Sequence, residues 1–78
     1  MDLEYVKNKR GLKFIELGMR CKNTYLDKYG TIKGGNSSGN IDVLFDGESD
    51  VSNVHPEWAM EYYDEEGNVI SEYGNNEH

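Results

Sequence analysis

The chain has 78 residues, a net charge of −7 and a single cysteine. This length allows one small domain, and a single cysteine excludes an internal disulfide. No apolar run near the N-terminus reaches signal-peptide or membrane-spanning length, so we expect a soluble protein of the reducing cytoplasm. The sequence contains no zinc-binding cluster and no cofactor motif.

The charges are divided unevenly along the chain. All eight Lys and Arg lie between Lys7 and Lys33, whereas the segment from residue 41 onward has eleven Asp and Glu and no Lys or Arg. Two interpretations stay open at this point. The acidic segment either keeps the protein soluble or forms a face that repels nucleic acid and attracts a basic partner.

The N-terminal part changes character after its first eleven residues. Residues 1–11 show neither a period of two nor one of 3.6, and we expect a flexible arm there. Met19 and Cys21 then alternate with Arg20 and Lys22, which is typical of a half-buried strand. The turn-forming letters NTYLDKYG follow, and a second strand resumes with the β-branched pair TI.

The tract GGNSSGN precedes a strongly alternating segment, IDVLFD. A nucleotide-binding loop would need Gly-Lys-Ser/Thr before a helix, and the alternation predicts a strand instead. The tract is therefore predicted to be the loop of a β-hairpin. Five residues in it tolerate the positive φ angles that such loops use: Gly34, Gly35, Asn36, Gly39 and Asn40.

The remaining chain alternates short extended segments with turns. Asp46-Gly47 predicts a tight turn, and a short strand follows over residues 51–54. The letters HPEW predict a single turn because Pro56 lacks an N–H. AMEYYD then predicts another strand, and Gly67-Asn68 predicts a turn into the last one. Residues 71–78 are polar, and we expect a frayed acidic tail.

Five or six short strands without a helix indicate an all-β fold, namely a small antiparallel barrel or two orthogonal sheets. The barrel would span residues 12–70, between the flexible arm and the tail. Phe14 is assigned to the core as well. The residues predicted to be buried by alternation and size are Met19, Cys21, Ile32, Val43, Phe45 and Trp58.

Three short motifs resemble those of small SH3-like barrels of the KOW type. In that family the strands open as G-x-x-V, G-x-V/I and V-x-F-D, and the matching pieces here are Gly18–Cys21, Gly30–Ile32 and Val43–Asp46. The letters NVHPEWAMEYYDEEGNVI are similar to the tail of uncharacterised phage and prophage proteins that carry such a barrel. The resemblance implies an SH3-like antiparallel barrel and a phage origin. SH3-like barrels bind RNA, DNA, peptides and proteins on different faces, so the fold alone does not assign a function.

Two candidate catalytic sites, one at His55 and one at Cys21, are better explained by structural roles of these residues. His55 and Glu57 lie beside Trp58, but one histidine and one carboxylate do not make a metal site, and a turn capping the barrel accounts for them. Cys21 has no neighbouring base or oxyanion hole in the sequence, and its alternation with Met19 places it in the core. We therefore predict a protein that is not an enzyme, with no catalytic residue and no metal.

The acidic half and its tyrosines form the candidate binding surface. Adjacent Tyr62 and Tyr63 point to opposite faces of a strand, so at least one is predicted to be exposed. Exposed tyrosines are good interface residues. We therefore expect a protein partner with a basic surface, such as a nucleic-acid-handling or defence protein of the host. The predicted partner-binding residues are Asp42, Asp46, Glu48, Glu61, Tyr62, Tyr63, Glu65 and Glu66.

Two alternative functions remain. A KOW-like module associated with nucleic acid would use Arg20, Lys22, Lys28 and Lys33. The acidic second half disfavours nucleic acid, because KOW-type barrels that bind it carry Lys and Arg in their loops. The second alternative is a structural or assembly subunit that oligomerises.

Overall fold

The computed structural model describes residues 3–74. All the strands belong to one antiparallel sheet with the order β4-β3-β2-β1-β5-β6. The all-β class and the number of strands confirm the prediction from sequence. In chain order the elements are α1 (Leu3–Arg10), β1 (Arg20–Asn23), β2 (Lys28–Gly35), β3 (Ile41–Phe45), β4 (Ser52–Val54), β5 (Met60–Tyr63) and β6 (Val69–Tyr73).

Hydrogen bonds do not close this sheet into a barrel. The first four strands follow one another as hairpins, and β5 returns to pair with β1. Within residues 3–74, β4 and β6 form the two edges and do not pair with each other. β4 has three residues and Pro56 lies just beyond it. A proline cannot donate a ladder hydrogen bond, so β4 does not continue through Pro56.

The alternation predicted for the third strand is present in β3. Ile41, Val43 and Phe45 are buried, whereas Asp42 and Leu44 lie between the buried and exposed extremes. Successive side chains of a strand point to opposite faces, so this strand has one face in the core. The same rule places Cys21 of β1 on the core side.

Residues 36–40 form the loop of the β2–β3 hairpin, as predicted. Asn36 organises this loop, because its side-chain Oδ1 accepts hydrogen bonds from the backbone N–H groups of Ser38 and Asn40, at 3.1 and 3.2 Å. Of the five residues predicted to tolerate positive φ, only Gly39 adopts it, at +82°. Two of the others are glycines inside β2, where the chain is already extended.

The tight turn predicted at Asp46-Gly47 is confirmed, whereas the turn predicted at Gly67-Asn68 lies slightly earlier, with Glu65 and Glu66 at its centre. In the β3–β4 turn, the N–H of Glu48 donates to the carbonyl of Phe45 at 3.0 Å. In the β5–β6 turn, the N–H of Gly67 donates to the carbonyl of Asp64, also at 3.0 Å. These turns bring the acidic residues of the second half to the ends of the sheet.

The core joins one face of the sheet to the N-terminal part of the chain. Cys21, Ile32, Val43 and Phe45 are buried, as predicted, whereas Met19 and Phe14 only pack against the core from its border. The remaining buried hydrophobic residues of the core cluster are Leu3, Val6, Leu12, Ile15, Ile41, Val54, Met60 and Tyr62.

Trp58 is not a core residue, and that prediction is wrong. It lies in the turn between β4 and β5 and is only half-buried. Its ring packs against Tyr25, with 5.2 Å between the ring centroids, and Tyr25 is 65% exposed. Composition suggested burial because tryptophan is large and apolar, but the turn around Pro56 directs it to the surface instead.

The predicted flexible arm is a helix, which corrects the sequence analysis. In α1, Leu3 and Val6 are spaced by three residues, lie on one face and are buried. Glu4 and Lys7 form an ion pair at 3.5 Å on the helix surface. Two apolar residues in eight are too few to reveal a helical period, but they suffice to dock the helix against β2. No helix among residues 3–74 is long and apolar enough to cross a membrane.

The end of α1 is fixed by its C-terminal cap and by Arg10. Gly11 has φ of +71°, and the N–H of Leu12 donates to the carbonyl of Lys7 at 3.0 Å, which is a Schellman arrangement. The guanidinium of Arg10 donates to the carbonyl of Gly39, to Oδ1 of Asn40 at 3.0 Å and to Oε1 of Glu57 at 3.4 Å. One side chain thus connects the helix to the β2–β3 loop and to the turn before β5.

The first part of the predicted frayed tail is ordered strand, and this also corrects the sequence analysis. Residues 71–73 belong to β6, where Tyr73 packs edge-on against Tyr62 with 6.3 Å between ring centroids. The carbonyl of Gly74 accepts a hydrogen bond from the N–H of Ala59 at 2.9 Å. The rest of the predicted tail, residues 75–78, lies outside the described residues, as do residues 1 and 2 of the predicted arm.

Candidate functional site

The predicted partner-binding residues belong to three separate parts of the chain. Asp42 lies in β3, and a second group lies in the β3–β4 turn. The third and largest group belongs to the β5–β6 hairpin, which comprises residues 60–73. The second group is Asp46 and Glu48, and the third is Glu61, Tyr62, Tyr63, Glu65 and Glu66.

Two of the three acids of the β3–β4 turn are engaged by cations of the first two strands. Arg20 donates to both carboxylate oxygens of Asp46, at 2.8 and 2.7 Å. These hydrogen bonds raise the pKa of Arg20 and lower the pKa of Asp46. Nζ of Lys28 lies 3.0 Å from Oε2 of Glu48. Asp50, the third acid of this turn, is exposed and has no ion pair within residues 3–74, so the turn keeps one uncompensated carboxylate.

Asp42 takes part in the architecture of the β2–β3 loop. Its Oδ1 accepts a hydrogen bond from Nδ2 of Asn36 at 3.1 Å. It lies opposite Asn53 of β4, whose side-chain oxygen accepts from the same amide at 3.3 Å. The carboxylate is half-buried in this network, which explains its position without a partner protein.

Tyr62 is a core residue and cannot contribute to a binding surface, so its assignment as partner-binding is wrong. Its side chain is fully buried, and its hydroxyl donates to the carbonyl of Pro56 at 2.6 Å. Burial raises the pKa of this hydroxyl. The alternation rule did predict that Tyr62 and Tyr63 point to opposite faces. The register of β5 with β1 decides which one points inward, because Tyr62 pairs with buried Cys21.

Tyr63 lies on the outer face of the hairpin and is half-buried. Its hydroxyl donates to Oε1 of Glu61 at 2.7 Å. Loss of solvent contact, together with this hydrogen bond, raises the pKa of Tyr63. The pair is therefore fixed in position, and it presents a ring and a carboxylate side by side.

The outer face of β5, β1 and β2 joins candidate residues of both proposed functions. Nζ of Lys22 lies 5.1 Å from the centre of the Tyr29 ring, and the Tyr29 and Tyr63 rings are 6.0 Å apart. Lys22 also lies 3.1 Å from Oδ1 of Asp27, which raises the pKa of Lys22. Across the sheet it is the register partner of Glu61.

The β5–β6 hairpin is rich in acids, and Lys22 of β1 lies across the sheet from one of them, Glu61. The hairpin contains no Lys or Arg, and none of its carboxylates forms an ion pair within residues 3–74. It therefore holds five negative charges over a short length of chain. Its acids are Glu61, Asp64, Glu65, Glu66 and Glu72.

Asp64 is a member of this group that the sequence analysis missed. Its Oδ1 accepts hydrogen bonds from the N–H groups of Glu66 and Asn68, at 2.8 and 2.9 Å. The bond from Asn68 in particular lowers the pKa of Asp64. An aspartate three residues before the glycine of a turn is a recognisable signal for such an Asx-type cap. The cap holds the turn so that Glu65 and Glu66 are exposed at its tip.

The cations of the alternative function are mostly occupied. Arg20, Lys22 and Lys28 each form an ion pair with an aspartate or a glutamate. Lys33 is exposed and has no ion pair to any residue in the described part of the chain. Three of the four cations would have to leave an acid before they bound a phosphate.

The surroundings of the two catalytic candidates, His55 and Cys21, indicate structural roles. His55 is exposed, and its Nδ1 accepts a hydrogen bond from the N–H of Glu57 at 3.1 Å within the turn. Cys21 lies in the core, as predicted, and burial raises the pKa of its thiol to about 12. Such a thiol stays protonated at neutral pH and lacks the thiolate that a nucleophile needs. Among residues 3–74, no three His, Cys, Asp or Glu side chains come together as a possible metal site.

Comparisons of this chain with models of protein families, with curated proteins and with solved structures found no match.

Proposed function

We propose that the protein is a non-enzymatic binding module that uses its β5–β6 hairpin to engage a basic surface on a partner protein. One observation carries this proposal. None of the five acids of the hairpin forms an ion pair within residues 3–74, whereas Arg20 and Lys28 pair with Asp46 and Glu48 in the β3–β4 turn. Uncompensated charge on one hairpin gives a local negative potential, which attracts a cationic surface.

The partner class follows from this charge. Proteins that handle nucleic acid carry positive grooves, because the phosphate backbone dominates their affinity. The resemblance to KOW-type SH3-like barrels and to phage and prophage proteins supports a phage origin. We therefore propose that the partner is a basic nucleic-acid-handling or defence protein in the cytoplasm of the host, and that the hairpin engages or inhibits it.

The KOW-like nucleic-acid function has less support. Its candidate residues Arg20, Lys22 and Lys28 are ion-paired, which leaves Lys33 as the one candidate cation without an ion pair inside residues 3–74. A protein that binds nucleic acid gains affinity by neutralising several phosphates with free cations. We expect no measurable binding to duplex DNA or single-stranded RNA at physiological salt.

The proposal is tested by comparing two variants that each remove two negative charges. The hairpin variant is Glu65→Gln/Glu66→Gln, and its matched control is Glu48→Gln/Asp50→Asn in the β3–β4 turn, which leaves the pair of Arg20 and Asp46 intact. Each is immobilised as the full chain and exposed to bacterial lysate at low and at high salt. Captured proteins are identified and quantified by mass spectrometry.

We expect wild type and the control to capture the same basic protein, and the hairpin variant to capture much less of it. Added salt should weaken the capture, since screened charges attract less. Equal capture by all three proteins would contradict the role of the hairpin. Micromolar binding to DNA or RNA that is lost in Lys28→Ala/Lys33→Ala would favour the KOW-like function instead.

A further inference from the structure

An open groove runs between the start of β1 and the β5–β6 hairpin. Its first part has a volume of about 360 Å³, and its apolar walls are Leu17, Met19, Tyr63 and Ile70. A second part of about 320 Å³ continues past Tyr63 to Tyr29. Both parts share Arg20, Tyr63, Asp64 and Glu65, so they form one continuous surface feature. We call it the Leu17 groove.

Leu17 is presented to solvent by a fixed turn. The N–H of Met19 donates to the carbonyl of Glu16 at 3.1 Å, and Gly18 has φ of +85°, as the third residue of a type II turn requires. The N–H of Gly18 in turn donates to the carbonyl of Ile32 at 2.9 Å, which holds the turn against β2. Leu17 is nevertheless 66% exposed. Packing within the chain therefore does not explain a leucine here.

A bulge in β6 places Ile70 on the wall of the groove opposite Leu17. Tyr62 pairs with Ser71 and Tyr63 pairs with Val69, so Ile70 is an extra residue that faces no partner. A bulge of this kind breaks the alternation of a strand and re-aims a side chain. As a result, Val69 and Ile70 are consecutive aliphatic residues that are 49% and 45% exposed. Regular pairing would have kept consecutive side chains on opposite faces.

The charges around the groove are negative. Glu16, Asp64 and Glu65 line its edge, and none of them has an ion pair within residues 3–74. Arg20 is the cation that lines the groove, and both carboxylate oxygens of Asp46 already engage it. The groove is thus apolar along its walls and acidic at its edge.

We propose that the Leu17 groove binds an extended segment of the partner protein in which an apolar side chain is flanked by Lys or Arg. This inference rests on the proposed function and adds the chemistry of the segment that the hairpin recognises. The apolar side chain packs between Leu17 and Ile70. The flanking cations lie against Glu16 and Glu65, and the face of the Tyr63 ring offers a further site for a cation.

The shape and charge of the groove support this occupant over two others. Both parts of the groove are open to solvent, which suits an extended chain better than a small molecule, since small-molecule pockets bury most of their ligand. Five of the eight cations of a second copy are already ion-paired within residues 3–74, so it offers few free cations to the acidic edge. A basic, partly apolar segment matches both the walls and the edge.

The test uses three short peptides and the full chain labelled with ¹⁵N. The first peptide is Gly-Lys-Leu-Lys-Gly, the second replaces its leucine by serine, and the third replaces its lysines by glutamates. Each peptide is titrated while amide resonances are followed by NMR. We expect the first peptide to shift the resonances of Leu17, Tyr63 and Ile70. It should bind about tenfold more tightly than the second, because it buries one apolar side chain. The third should not bind.

Two groove variants and one matched control assign the site. Leu17→Ser and Ile70→Ser should each weaken the first peptide to the level of the second, by about tenfold. Val51→Ser is the control, because Val51 is 49% exposed, similar to Ile70, and does not line the groove. It should leave the affinity unchanged. All three positions are exposed, so the variants should keep the wild-type NMR spectrum elsewhere.

The outcomes separate this inference from the proposed function. If the two lysine peptides bind equally and Glu65→Gln/Glu66→Gln weakens both, the groove inference fails and the acidic hairpin remains. If the glutamate peptide binds as well as the first peptide, the partner chemistry inferred here is wrong. If the first peptide shifts no resonance in the groove, or if Val51→Ser weakens it as much as Leu17→Ser does, the groove is not its site.

Discussion

Arg20 of β1 donates two hydrogen bonds to the carboxylate of Asp46, which directly follows β3. Nη1 lies 2.8 Å from Oδ1, and Nη2 lies 2.7 Å from Oδ2. The pair crosses the intervening strand β2, where the hydroxyl of Thr31 accepts a third hydrogen bond from Arg20 at 3.1 Å. Two parallel hydrogen bonds fix the geometry of a guanidinium and a carboxylate better than a single contact does. An acid that was expected to face a partner is thereby paired with a cation of its own chain at the surface of the sheet.

The ionisation of Asp46 reports this pair directly. Arg20 lowers the pKa of Asp46, so its contribution to stability is present above the ordinary carboxyl pKa of about 3.9 and is lost as the pH falls through the lower folded value. We predict that Arg20→Gln raises the pKa of Asp46 towards about 3.9, as followed by ¹³C NMR of the carboxyl group. Lys28→Gln is the control, because Lys28 pairs with Glu48. An Asp46 pKa that is the same in both variants would contradict the pair.

The hydroxyl of Tyr62 is expected to contribute to stability rather than to binding. Tyr62→Phe removes its buried hydrogen bond to the carbonyl of Pro56 and should lower the free energy of unfolding by about 1 kcal/mol, measured by urea denaturation. Tyr63→Phe is the matched change on the outer face. It should cost less, because water can replace the hydroxyl beside Glu61. Equal losses of unfolding free energy in the two variants would show that the buried hydrogen bond stabilises the protein no more than the exposed one.

Docking of α1 is expected to stabilise the whole domain. Val6 is fully buried, so Val6→Ala should lower the free energy of unfolding by about 2 kcal/mol through lost burial and a small cavity. Asn8→Ala changes an exposed position of the same helix and should alter stability by less than about 0.5 kcal/mol. The free energies of unfolding are measured by chemical denaturation. If Val6→Ala lowered this free energy no more than Asn8→Ala does, the N-terminal residues would behave as an arm and not as part of the core.

The β2–β3 loop should depend on Asn36 and not on its serines. Asn36→Ala removes the acceptor of two backbone N–H groups and should cost about 1–2 kcal/mol. Ser37→Gly/Ser38→Gly keeps those N–H groups and should change stability by less than about 0.5 kcal/mol. Thermal unfolding of both variants measures the difference. A larger loss from the serine changes would mean that their hydroxyls make contacts of their own.

Local patterns in the sequence predicted the strands and their turns well. β3 alternates strictly, and Asp46-Gly47 and Gly67-Asn68 leave few alternatives to a tight turn. The helix α1 escaped prediction because only Leu3 and Val6 carry its buried face. Its stability comes from packing against the sheet, which a local pattern does not reveal.

The candidate site was harder to predict, because its properties depend on which strands are neighbours. Arg20 and Asp46 are 26 residues apart, and only the order of β1, β2 and β3 brings them together. From the sequence alone, Asp46 was therefore predicted to be one of the acids available to a partner. Likewise, the alternation of a strand predicted that Tyr62 and Tyr63 point to opposite faces, but it could not predict which one faces the core. The bulge that exposes Ile70 is a property of the β5–β6 register and has no signature in the letters.

The three partners of Arg10 also determine when the N-terminal part of the protein can fold during synthesis. Gly39, Asn40 and Glu57 follow Arg10 by 29, 30 and 47 residues. A ribosome adds roughly 5–20 residues per second, so the last of these partners is made roughly 2–10 s after Arg10. During that time α1 has neither the hydrogen bonds of Arg10 nor a complete sheet to pack against, and an isolated helix of eight residues is unstable in water. Although α1 is synthesised before the strands, it is therefore among the last elements to become ordered.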